Sequence, residues 1–135
     1  AMQLTNISRD VIEDSKNNRF YINRDFREIS STINLADSFY QNSFYSIKNI
    51  PISFRFSILV ARRVYRKIGR KILSKKNLEN YQNSGKIYVS NIEKLLETFL
   101  SIFDLVRLSL TIKNEDQIQH DHVLINEEIN LNERI

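Results

Sequence analysis

The sequence predicts an all-α helical bundle, and three observations predict it. Apolar residues recur at spacings of three and four throughout rather than alternating. Gly and Pro number only 2 and 1, too few for a turn-rich β-sandwich and too few for a glycine-rich phosphate loop. Hydrophobic residues make up 41% of 135 residues, enough for one compact core. There is no cysteine, which excludes a disulfide framework, a cysteine-ligated zinc site and a thiol nucleophile.

The first helix is expected from Ala1 to about Asn18, marked by Met2, Leu4, Ile7, Val11 and Ile12. Asn17-Asn18 is its stop, because Asn tolerates the left-handed conformation that ends helices. A second helix is expected over Ile29 to Ile47, with Ile33, Ala36, Phe39, Tyr40, Phe44 and Ile47 on its apolar stripe. Pro51 opens a third, where its missing N–H costs nothing, and that helix runs to about Lys75. A break follows over Asn77 to Gly85. A fourth helix covers Val89 to Ile112 and is the most apolar of all, so it is expected to pack in a core or against a partner.

Residues 1–112 are read as one domain and 113–135 as a polar, disordered tail. The tail carries a net charge of −4, leaving +8 on the first 112 residues. His120 and His122, with Asp116 and Asp121, are a weak metal signal on a segment with no rigid element to orient ligands. The longest apolar stretch, Leu95 to Leu110, is interrupted by Glu97, Asp104 and Arg107, so no membrane span is expected. Arg9 and Asp10 stand where a signal peptide would be apolar. The expected location is cytoplasmic, with contact to a membrane surface, and the opening Ala1-Met2-Gln3 reads as a processed or cut piece of a longer protein.

Chemistry concentrates in the first helix. Asn6, Asp10 and Asp14 stand at i, i+4 and i+8, each step rising about 6 Å and drifting about 40°, so three oxygen donors share one face. Such a row suits Mg²⁺, which takes one or two carboxylates and keeps water and phosphate elsewhere. Arg9 beside it could hold a phosphate oxygen bidentately. Spacing alone leaves open an ordinary solvated face.

The string Gln3-Leu4-Thr5-Asn6-Ile7-Ser8-Arg9-Asp10-Val11-Ile12-Glu13-Asp14, followed by Arg19-Phe20-Tyr21, closely resembles the second aspartate-rich motif of the squalene/phytoene synthase family. Asn18 replaces a glycine common in that motif, and Asn23 a proline. Ala36-Asp37-Ser38-Phe39-Tyr40, Ile50-Pro51, Ala61 to Gly69, Val89-Ser90 and Lys94-Leu95 resemble later landmarks of the bacterial phytoene synthases, and the resemblance extends from Ala1 to about Leu105.

The resemblance implies a partial isoprenoid synthase fold, a helical bundle around an apolar cavity. It implies head-to-head condensation of two prenyl diphosphates, such as geranylgeranyl diphosphate, in isoprenoid and carotenoid biosynthesis. Asn6, Asp10 and Asp14 would hold Mg²⁺, with Asp10 and Asp14 the catalytic carboxylates. Gln3, Arg9, Arg19, Tyr21 and Tyr65 would contact the substrate. Lys86 falls near a family basic position, with a solvated lysine as the alternative. The family's first aspartate-rich motif has no counterpart here, so the chain alone is expected to be inactive. A missing N-terminal half, or self-association through residues 89–112, would complete it.

Another reading is a non-catalytic module. Arg62, Arg63, Arg66, Lys67, Arg70, Lys71, Lys75 and Lys76 form a basic stretch without an acid, suited to an anionic membrane surface and less to nucleic acid, or to a solvated outer face.

Overall fold

The computed structural model describes residues 1–111, and within them every regular element is a helix. The tail expected to be disordered and the His120/His122 pair lie outside the described residues. Helix α1 spans Met2–Lys16, α2 Phe26–Asn42, α3 Ile52–Leu73, α4 Leu78–Asn83 and α5 Asn91–Leu110, with a 3-10 turn at Tyr45–Asn49.

Asn18 closes α1 in the left-handed region at φ 55°. Helix α2 starts before the expected Ile29 because the Asp25 side chain caps it, accepting from the Arg27 N–H. It also ends short of Ile47. The chain tightens into the 3-10 turn, whose Ile47 is buried with Phe44, Leu59 and Leu108 in a small cluster. Ile50 is extended, as the residue before Pro51 must be. The expected break after α3 holds the short helix α4, capped by Asn77, which accepts from the Asn80 N–H. At α5, Ser90 and Glu93 form a reciprocal capping box.

The main core joins α1, α2, α3, α4 and the strap before α5 through Val11, Ile29, Ile33, Ile68, Ile72, Tyr81, Ile87 and Val89. Helices α2 and α3 approach closely at Gly69, where an added Cβ would sit 3.1 Å from Ile33 Cγ2.

Helix α5 is inside out. Its buried residues are Glu97, Ser101, Asp104 and Leu108, while Ile92, Leu95, Leu96, Phe99, Leu100, Ile102, Phe103, Val106 and Leu110 are 40–77% exposed. Of the two expectations for this helix, a core or a partner, the described residues exclude the core for its apolar face, and α3 supplies the reason. Arg63 Nε meets Asp104 at 2.6 Å and its Nη1 meets Glu97 at 3.2 Å, Lys67 lies 3.7 Å from Glu97, and Lys71 lies 2.6 Å from Glu93. Arg66 pairs with Asp37 of α2 at 2.6 Å. Much of the basic stretch is therefore an interhelical ion-pair ladder rather than a bare solvated face. No helix among the described residues is long and apolar enough to cross a membrane.

Candidate functional site

The α1 row is held from behind. Thr5, Ser8 and Val11 are its buried positions, which turns Asn6, Asp10 and Asp14 toward the flank of the helix. From α4, the single phenolic proton of Tyr81 is shared between the carbonyls of Ser8 and Arg9, at 2.9 and 2.8 Å. Burial, with Asp10 nearby, pushes the Tyr81 hydroxyl up to about 12, so it remains a donor.

The carboxylates are gripped by cations. Arg9 donates to both oxygens of Asp10, Nε at 2.8 Å and Nη2 at 2.6 Å. That bidentate pair, helped by the charge of Lys86, holds the Asp10 carboxyl below its usual range. Arg19 Nη2 lies 3.2 Å from Asp14. Lys86 sits 2.8 Å from Glu13 and 3.8 Å from Asp10, and the two carboxylates raise the proton affinity of its amine. Asp10, Glu13 and Asp14 thus face Arg9, Arg19 and Lys86, and the cluster is neutral.

Asn6 Oδ1 is buried and accepts no hydrogen bond. An orphaned amide oxygen one helical turn from the Asp10 carboxylate is a donor that Mg²⁺ could use, since it needs few protein oxygens. Among the described residues no group of three or more His, Cys, Asp or Glu gathers to hold a metal ion, on α1 or elsewhere.

Other expected site residues are more dispersed. Gln3 is exposed on the first turn of α1 and makes no side-chain hydrogen bond among the described residues. Tyr21 is exposed in the α1–α2 connection, lining an open cleft of about 420 Å³ with Phe20, Asn23 and Glu28. Tyr65 packs half-buried on the main core and lines a pocket of about 100 Å³ with Thr5 and Tyr40. Tyr81 was not legible as a site residue, since it lies in the segment read as a break. The Asn77 cap ahead of Leu78 was its local signal.

The fold is an all-α bundle that carries an Asn-Asp-Asp row on α1 with cations paired to it from α1 and beyond. Comparison with known proteins narrows that class. Over about half its length the chain is related in sequence to bacterial phytoene synthases. It is 29% identical over 94 residues to a 15-cis-phytoene synthase of Enterobacter agglomerans, covering 54% of this chain and 32% of that one. It is 30% identical over 90 residues to a 15-cis-phytoene synthase of a Paracoccus species, covering 53% and 30%. A phytoene synthase of Cereibacter sphaeroides is 31% identical over 94 residues, covering 53% and 26%. The aligned part thus spans about a third or less of these curated relatives. No protein-family model matches the chain. No solved structure matches it.

Proposed function

We infer that this chain is the diphosphate-binding wall of a phytoene synthase-like prenyltransferase. The observation that carries the reading is the neutral cluster on α1 around the orphaned Asn6 oxygen. Asn6, Asp10 and Asp14 would hold Mg²⁺, which when bound supplies Lewis-acid stabilisation of a departing diphosphate. Arg9, Arg19 and Lys86, now paired with carboxylates, would be the groups that take phosphate oxygens of an anionic ligand, leaving Asp10 and Asp14 as the carboxylates available to hold the cation. Charge balance is then kept on both sides, so neither set of charges is left unpaired. The substrate class is a prenyl diphosphate, geranylgeranyl diphosphate as the resemblance of the Gln3-to-Asp14 string implies, and the reaction is head-to-head condensation toward carotenoids.

One wall does not make a synthase. The chain carries no first aspartate-rich motif, and we assign the outward apolar face of α5 to helices of the same domain supplied from outside it. The chain alone is accordingly inactive. The test is calorimetry with a non-hydrolysable geranylgeranyl diphosphate analogue. Binding that requires Mg²⁺ and disappears in Asp10→Asn/Asp14→Asn supports the half-site. Equal binding without Mg²⁺, or in the double variant, refutes it. Condensation product formed by the chain alone would refute the inactive-wall reading.

A second reading is favoured by α5: a non-catalytic module that pairs with a second copy through its apolar face. A concentration-dependent mass, in the absence of any Mg²⁺-dependent diphosphate binding, would select it.

A further inference from the structure

A second charged concavity lies apart from α1. The end of α2, the 3-10 turn, α3 and α5 enclose a cleft of about 370 Å³ to which α1 contributes no lining residue. Five arginines line it against two carboxylates, Glu97 and Asp104. Both carboxylates are already engaged. Asp104 takes two hydrogen bonds from Arg63, at 2.6 and 3.2 Å, and Glu97 takes a third at 3.2 Å. Arg66 also lines the cleft, but its guanidinium is taken up by two bonds to Asp37, at 2.6 and 2.9 Å.

Three guanidiniums remain. Arg62 is 9% exposed and donates Nε to the Tyr40 carbonyl at 2.8 Å, but its nearest carboxylate, Asp104, lies 3.9 Å from Nη1, beyond hydrogen-bond length. Arg107 reaches only the Tyr45 hydroxyl, at 3.3 Å, and Arg70 makes no ion pair among the described residues. The Phe44 ring packs against the Arg62 and Arg107 guanidiniums, 4.8 and 5.5 Å from its centroid, and so orients both. Burial and the adjacent Arg66 lower the proton affinity of Arg62, as expected of a cation without a sufficient counter-charge. A buried, under-paired charge is costly unless something completes it. Rigid guanidinium forks match phosphate oxygens, and the volume suits a small molecule rather than a polymer.

The geometry points to this cleft as a binding site for a small phosphate-bearing anion, free or as the head group of a phosphate ester, with Arg62 as its floor and Arg70 and Arg107 as its rim. The site uses neither Mg²⁺ nor α1, so it stands or falls separately from the proposed half-site.

The experiment is calorimetry and thermal unfolding of the full chain in EDTA at fixed ionic strength, with inorganic phosphate, pyrophosphate, glycerol 3-phosphate or sodium chloride. Phosphate-bearing probes are expected to bind and raise the unfolding midpoint where chloride does not. The relative affinities of the three probes separate a free ion from an ester. Arg107→Gln, on the exposed rim, is expected to weaken binding at least fivefold and Arg62→Gln at least tenfold, while Arg27→Gln, an exposed position on α2 outside both charged clusters, leaves it unchanged. Should Arg62→Gln fail to fold, Arg107→Gln still decides. Equal stabilisation by chloride overturns the site, as does undiminished binding by Arg107→Gln. So does tighter binding of a short DNA duplex than of pyrophosphate, which would mark an open polyanion surface.

Discussion

Helix α3 is shared by two halves of the molecule that are built on opposite principles. On one side Val64, Tyr65, Ile68 and Ile72 join an apolar core with α1, α2 and α4. On the other, Arg63, Lys67 and Lys71 meet Asp104, Glu97 and Glu93 of α5 across a charged seam. Apolar burial drives association without direction, whereas paired charges fix which faces meet. The difference explains how the most apolar helix of the chain comes to show its apolar face to the outside. The three acids of α5 have their counter-charges on α3, and that pairing consumes the inward face.

The comparison is broken most directly by cutting each half. Ile29 and Ile72 are wholly buried, and Ile72→Ala or Ile29→Ala should cost about 2–5 kcal/mol in denaturant unfolding. Phe99→Ala or Phe103→Ala, of larger volume but on the exposed face of α5, should stay within about 0.5 kcal/mol. Comparable losses at both places would mean that the α5 face is covered in solution.

The seam sharpens the contrast. Asp104→Ala leaves Arg63 with Glu97 alone and Arg62 without its nearest carboxylate, and should cost about 2–3 kcal/mol, below the roughly 3–5 kcal/mol of a fully buried pair because Arg63 is partly exposed and keeps one partner. Replacing Arg63, Glu97 and Asp104 together by Met, Leu and Leu removes Arg63 with its partners and should cost less than Asp104→Ala in the same assay, the residual loss lying at Arg62 and Lys67. A large loss in the triple variant would show that the charges supply net stability and not only orientation.

Much of this was legible in the sequence, and what was not has a physical cause. Periodicity placed α1, α3 and α5 to within a few residues, and the α1 row was found from its spacing and its resemblance to a known motif. The end of α2 was misplaced because Phe44 and Ile47 keep helical spacing while serving a 3-10 turn. Helix α4 was hidden by its shortness. The orientation of α5 was beyond periodicity altogether: its pattern names two faces, and only the basic rows of α3, read as solvated, decide which one is buried. Lys86 shows the same limit, since its pairing with Glu13 and Asp10 spans 73 and 76 positions.

Tyr81→Phe tests how α4 braces the site. Losing the hydroxyl leaves two α1 carbonyls short of a donor and should cost about 1 kcal/mol. The hydroxyl is held neutral in the fold up to about 12 against an ordinary 10.0, so its contribution is complete below pH 10 and drains away as pH rises toward 12. Wild type should therefore destabilise over that alkaline range, measured by unfolding at stepped pH, and Tyr81→Phe should lose that part of the decline.

The smallest effect belongs to the site itself. Arg9→Gln removes the bidentate partner of Asp10, and because that pair is partly exposed the cost near neutrality should be only about 0.5 kcal/mol. Its signature is in acid. Asp10 is held below its ordinary 3.8, so in wild type its contribution is complete above pH 3.8 and is lost as pH falls through the lowered value. Without Arg9 the carboxyl should return toward its ordinary range, with less acid-sensitive stability left to lose. Following the Asp10 carboxyl carbon by NMR across pH 2 to 5 reads that shift directly. An unmoved titration would mean that Lys86 alone sets the carboxylate, and the role of Arg9 as its principal counter-ion would have to be given up.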